Sequence, residues 1–195
     1  MKIIEKYELK YITQSIRSGF QFREQLQAKE NGSIKVVQMK DIQSDNTLDS
    51  DNLAKVDVTV NDPEQFLNKG DILFRSKGYN NLGTVIEHEI DKAVAQSYFF
   101  VIRTDKNLIL PEYLAWYLNQ KPAQEFFRQN SAGTSVPMIS KKVLEMVEVV
   151  IPPMEIQQKI INIYNLSLKE QRIFKQLQEK KKLLIETILL KKVIE

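Results

Sequence analysis

The sequence predicts an α+β fold in two parts: a domain of short strands and helices over residues 1–152, and one long helix over residues 153–195. Two observations carry this reading. Before Pro152-Pro153, β-branched runs alternate with helical spacings and turn residues; after it, no glycine or proline occurs up to Glu195. Hydrophobic residues make up 43% of the 195, enough for a core and far from a disordered composition.

Tyr7–Ile16 places Leu9, Ile12 and Ile16 at helical spacing and predicts a helix. Ser33–Gln38 (SIKVVQ) and Val56–Val60 (VDVTV) are β-branched and predict strands. A Lys69-Gly70 turn leads into a strand over Asp71–Arg75. A short strand over Thr84–Glu87 and a single long one over Ala93–Arg103 follow. Pro111 opens a helix, where its missing N–H costs nothing, with Tyr113, Leu114, Tyr117 and Leu118 as its apolar face. Pro122 starts a further helical turn carrying Phe126 and Phe127. Ser131–Pro137 is a loop, Ser140 caps a short helix at Lys141–Glu145, and Met146–Ile151 is a strand.

Beyond Pro153, Ile156, Ile160, Ile163, Leu166, Ile173, Leu177, Leu184 and Ile188 recur at steps of three, four or seven. That spacing predicts one amphipathic helix of about 40 residues, about 60 Å long. Glu170 and Lys181 interrupt the stripe, so it departs from an ideal coiled coil. A helix this long is expected to project past the domain and bury its stripe on a partner, another helix. The alternative is a hairpin broken near Ser167.

The net charge is +3, from 28 basic and 25 acidic residues, and does not by itself announce a nucleic-acid binder. Its distribution says more. Residues 41–71 hold seven aspartates and Glu64 against Lys55 and Lys69; residues 1–40 and 169–182 are mainly basic. A polyanion would avoid the first stretch and favour the others.

Catalytic signals fail together. The absence of cysteine excludes disulfides and thiolate metal sites, and the sole histidine, His88, sits between two glutamates as a surface residue. Asp41, Asp45, Asp49 and Asp51 lack the glycine and terminal glutamate of a calcium loop. Phosphate-loop, dinucleotide-loop and nucleophile-elbow motifs do not occur. No metal and no cofactor are expected in the chain. The opening MKIIEKYELK lacks the apolar run of a signal peptide, and no apolar run is long enough to span a bilayer, so a cytoplasmic protein is expected.

What remains is recognition chemistry. Phe74–Asn81 delivers Arg75, Ser76, Lys77, Tyr79 and Asn80 into a glycine-containing loop. Arginine can bond guanine and asparagine adenine in bidentate fashion, while lysine and serine suit phosphate oxygens. Arg17 and Arg23, with Ser18 and Gln21, form a second polar patch. Gln38 and Lys40 leave the end of the first predicted strand; Thr134 and Ser135 sit in a loop beside Gly133. These are the candidate DNA-binding residues.

The same residues carry a family resemblance. Leu67–Gly78 (LNKGDILFRSKG) is similar to the "pGDil…rG" signature of type I restriction–modification specificity subunits. Phe20–Arg23, followed by Gly32 and Ile34–Ile42, resembles the family's entry strand. Leu110–Asn119 (LPEYLAWYLN) resembles its "l.PeYLayyLns" helix, Ala132–Ile139 its "GtsvpgIs" loop, and Ile151–Ile160 its "iPPleeQ.kI" helix start. Five such stretches occur in the family's order.

A full specificity subunit carries two recognition domains and two such helices, so this sequence resembles half of one. The resemblance implies a non-catalytic subunit that reads part of a bipartite double-stranded DNA site in phage defence. Modification subunits binding S-adenosylmethionine would methylate adenine, and a restriction subunit using ATP and Mg would translocate and cleave. It also implies that the long helix packs on its counterpart as an antiparallel coiled coil. The stripe's need for packing predicts that the counterpart is a second copy, giving a homodimer, or another half-subunit, joined through Ile156, Ile160, Ile163, Ile173, Leu177, Leu184 and Ile188. A homodimer would read two inverted half-sites. Two readings of other classes compete: an adaptor whose coiled coil is the point, and a DNA methyltransferase or nuclease in its own right.

Overall fold

The computed structural model describes residues 5–22, 26–133 and 135–194. In chain order the elements are β1 (Lys6–Glu8), β2 (Thr13–Ser18), β3 (Ile34–Val37), β4 (Ala54–Val56), β5 (Ile72–Arg75), β6 (Gly83–Val85), β7 (Ala93–Ala95) and β8 (Phe99–Thr104). There follow α1 (Pro111–Leu118), α2 (Lys121–Asn130), α3 (Lys141–Glu145), β9 (Glu148–Val150) and α4 (Met154–Ile194). The chain divides into two compact units, Met1–Gln157 and Gln158–Glu195.

In the first unit, β2, β8, β5 and β6 form one sheet in that order, every neighbouring pair antiparallel. A second sheet runs β4-β3-β7, with β3 parallel to β7, and β1 pairs with β9. Strand β5 is central and wholly buried over Ile72, Leu73 and Phe74. Each such side chain contributes about 1.5–3 kcal/mol of burial. Leu73, Phe99 and Val101 of the first sheet pack with Val37, Ala93 and Ala95 of the second. The second sheet is covered on its other face too: Ile34, Val36, Val56 and Val94 pack with Phe20, Phe22 and Val58. Helix α2 lies against β5 through Phe74 and Phe127, whose rings are 4.9 Å apart.

Three expectations change. Tyr7–Ile16 is not a helix: β1 ends at Glu8, a single 3-10 turn spans Leu9–Tyr11, and β2 begins at Thr13. Leu9, Ile12 and Ile16 are buried as the spacing required. A turn between two strands reproduces a helical interval without a helix, and Leu9 N–H donates to Val147 O rather than within a helix. The strand expected over Val56–Val60 ends at Val56. Its partner β3 starts opposite, at Ile34, and the next N–H, of Ser33, donates to the Asp57 side chain instead. The single strand expected over Ala93–Arg103 is two strands in different sheets. Phe99 N–H donates to Gln96 O, closing a turn between β7 and β8.

Helix α4 runs unbroken for 41 residues, which excludes a hairpin at Ser167. Its first turn belongs to the first unit. There the buried Gln157 side chain accepts from Leu110 N–H (2.9 Å) and donates to Leu108 O (3.1 Å) and Pro152 O (2.9 Å). The second unit, taken alone, is a helix with Ile163, Leu166, Ile173, Leu177, Leu184 and Ile188 exposed along it.

Candidate nucleic-acid interface

Loops far apart in sequence are joined here by main-chain hydrogen bonds. Ser76 N–H donates to Tyr98 O (2.9 Å), Ile139 N–H to Ser76 O (2.8 Å) and Gly78 N–H to Pro137 O (2.9 Å). Ala132 and Met138 exchange bonds of 3.0 and 2.8 Å. Side chains reinforce the join: Ser76 Oγ donates to Tyr98 O (2.7 Å) and Tyr79 Oη to Ser135 O (3.1 Å). Gln96 N–H donates to Val37 O, so the end of β3, with Gln38 and Lys40 following, lies beside the same turn. Of the sequence candidates, Arg75, Ser76, Lys77, Tyr79, Asn80 and Ser135 are therefore brought together.

The electrostatics of this cluster are one-sided. The three segments that meet contain no aspartate or glutamate over residues 72–86, 92–104 and 126–144. Lys77 is exposed, with its ammonium 4.7 Å from the centre of the Tyr98 ring. Arg75 is half-buried; its Nε is buried without a partner, and among the described residues no carboxylate pairs with it. Burial pulls its pKa below the usual arginine value, and the guanidinium still stays charged. Arg128 and Lys142 flank the second loop and are exposed.

The other candidates stand differently. Arg17 points away from the cluster: its Nη1 donates to Glu64 Oε2 (3.0 Å) and its Nη2 lies 3.9 Å from Asp71 Oδ2. Burial, then the charge of Arg103, lowers its pKa. Asp71 is 2% exposed and is bonded by Arg103, not by Arg75: Arg103 Nε donates to Oδ1 (2.9 Å) and Nη2 to Oδ2 (3.2 Å). Burial opposes the Arg103 charge, and the bonds to Asp71 and Glu64 more than offset it, raising its pKa. Gln38 is held through its backbone, its N–H donating to Asp41 Oδ2 (2.8 Å), while Lys40 is exposed. Ser76 is buried in the join itself. Arg23 and Thr134 lie outside the described residues. A cleft of about 980 Å³ opens beside Arg17, between Phe20, Phe22 and Val58, but its rim mixes Lys29 with Asp57 and Asp62 and does not favour a polyanion.

Sequence reasoning missed Tyr98, Val136 and Met138, which are exposed at the join. It also missed Arg103 as the partner of Asp71. An aromatic at a strand-to-strand turn was the available signal for Tyr98; for the others nothing local distinguished them. Among the described residues no group of three or more His, Cys, Asp or Glu could hold a metal, and no helix is long and apolar enough to cross a membrane.

Comparison with known proteins gives a consistent picture. Residues 1–183 match the family described as the type I restriction modification DNA specificity domain. The chain is 30% identical over 100 residues to the HindI specificity subunit of Haemophilus influenzae, covering 50% of this chain and 22% of that one. It is 28% identical over 113 residues to the MjaVIII specificity subunit of Methanocaldococcus jannaschii, covering 58% and 25%. Among solved structures it superposes on the HsdS subunit of Thermoanaerobacter tengcongensis with a TM-score of 0.67 at 16% identity, over 90% of this chain and 45% of that one. For the S subunit of M. genitalium the TM-score is 0.55 at 15% identity, over 88% and 41%. The aligned part is thus a quarter or less of each curated relative and under half of each solved chain.

Proposed function

Because the chain belongs to the type I restriction modification DNA specificity family, we propose that it is the sequence-reading, non-catalytic component of a restriction–modification assembly in the cytoplasm. The observation that carries this is the convergence of three acid-free segments on one set of joined loops, with Arg75 unpaired and Lys77 exposed. These three segments bring no carboxylate of their own to repel a polyanion. Arg75 and Asn80 supply donors able to read base edges, and Lys77 and Ser135 suit phosphate oxygens. Arg17, held by Glu64, plays a structural part.

The remaining assignments follow from the family. Residues 1–152 form the target-recognition domain, and residues 153–195 the helix for pairing and docking. The long helix pairs antiparallel with a second copy, or with another half-subunit, through its exposed isoleucines and leucines. Modification subunits carrying S-adenosylmethionine dock on that frame and methylate adenine, and a restriction subunit using ATP and Mg cleaves; the chain itself holds no cofactor.

Anisotropy titration of duplex DNA against salt tests the reading. The logarithm of affinity should fall linearly with the logarithm of salt concentration as counterions are released. Calorimetry with S-adenosylmethionine should give no binding heat. Salt-independent or absent duplex binding, or saturable binding of S-adenosylmethionine, overturns the assignment in favour of an adaptor or a methyltransferase respectively.

A further inference from the structure

We propose that the joined loops read a thymine through its methyl group, using an apolar tip made of Tyr79, Val136 and Met138; this rests on the DNA reading above. These side chains are 79%, 56% and 45% exposed, although they come from two loops. They are neighbours through the backbone: Lys77 bridges Met138, Gly78 N–H donates to Pro137 O, and Tyr79 Oη donates to the carbonyl of Ser135, next to Val136. That last bond decides what Tyr79 offers. Its hydroxyl proton is committed to the neighbouring loop, which fixes the ring, and the ring face adds carbon surface to the tip.

The surroundings select the occupant. Arg75, Lys77, Arg128 and Lys142 lie on acid-free segments around the tip, so a polyanionic partner is favoured over an apolar protein face. On the major-groove floor of a duplex the apolar group on a base edge is the thymine C5-methyl. Lys77, with its ammonium against the Tyr98 ring, stands beside the tip where a phosphate would pass. Gly78 and Gly133 both hold φ of +102°, and the main-chain bonds between the loops fix the tip before binding, which limits the ordering cost on contact.

The test uses the purified full chain and a random-centred duplex library. Once a preferred duplex is recovered, its thymines are replaced singly by deoxyuridine. Loss of one buried methyl should weaken binding about fourfold, equivalent to about 0.8 kcal/mol, at one or more positions. In the Val136→Ala/Met138→Ala double variant that fourfold difference should vanish while the salt slope stays the same. Both side chains are exposed, and a thermal melt checks that the variant folds. The proposal is overturned if the wild type tolerates deoxyuridine everywhere, or if the loss persists in the double variant. It is equally overturned if 2-aminopurine beside the sensitive position brightens on binding, which marks a wedge that unstacks bases. A library that yields no preferred sequence refutes the DNA reading itself, a separate result from a preferred duplex that is indifferent to its methyl groups.

Discussion

Replacing Arg75 by methionine should make the protein more stable and a poorer DNA binder. Arg75 ends β5 half-buried, with its Nε lacking any partner and no carboxylate paired with it among the described residues. An unsatisfied buried donor costs about 1–3 kcal/mol, and the part of the guanidinium that meets water recovers some of this. Methionine keeps the apolar stem and removes the charge. The expected gain is up to about 1 kcal/mol, or a rise of roughly 2–4 °C in Tm for a domain of this size. Against DNA the same change should cost about 1–3 kcal/mol, a roughly 5- to 150-fold loss of affinity, with selectivity relaxed at one base pair. Thermal melts and anisotropy titrations on one preparation give both numbers. A lower Tm would mean that the folded chain satisfies the guanidinium, and unchanged affinity would remove Arg75 from the interface; either result sinks the reasoning.

Other outcomes follow from the same geometry. Arg103→Met removes two charge-assisted bonds from the buried Asp71 carboxylate, leaving it Asn68 N–H and the Arg17 guanidinium at 3.9 Å, and should cost roughly 1.5–3 kcal/mol, whereas Glu64→Ala, at a residue 68% exposed on its side chain, should cost less than about 1 kcal/mol in denaturant melts. Tyr113 donates to Val150 O, and burial pushes its pKa from 10.0 to about 12. Its contribution is therefore full below pH 10 and is lost as pH rises through 10–12, when only the unfolded chain ionises. The stability difference between wild type and Tyr113→Phe should shrink by about 2–3 kcal/mol across that window. Leu177→Asp places a charge in the exposed stripe of α4 and should convert a dimer to monomers in light scattering; a wild type already monomeric at high concentration would refute the pairing.

Long, locally encoded features were legible in the sequence. α4 was visible because 41 residues without a helix breaker carry one period, and α3 because Ser140 supplies the cap, accepting from Val143 N–H. Short elements were not. Leu9, Ile12 and Ile16 gave the right burial and the wrong backbone, since an apolar interval of three or four does not say what the chain does between its points. The break between β7 and β8 depends on β3 running out of partners at Val37, which is information held elsewhere in the chain. At the candidate site the loops at residues 74–81 and 131–137 could each be named from composition. Their union could not, because it is made by main-chain bonds whose partners lie some 60 residues apart, as with Ile139 and Ser76. Asp71 and Arg103 are likewise 32 residues apart, and their pairing depends on the register of β5 with β8.

The way the loops are fastened bears on how such a site can change. Most of their ties are written in backbone atoms, so side chains at 80, 135 and 136 can be exchanged without loosening the frame beneath them, and exchange at 79 gives up one side-chain tie, to Ser135 O. Gly78 and Gly133, with φ where L side chains are strained, resist replacement, as do the buried Ser76 and Asn81, whose side chains bond Tyr98 O and Arg75 O. A lineage could drift from one target to another through a few substitutions at these positions and remain a folded protein at every step. In a combinatorial library over them, folding and target choice should separate: clones that lose selectivity for one duplex would still melt cooperatively near the parent temperature.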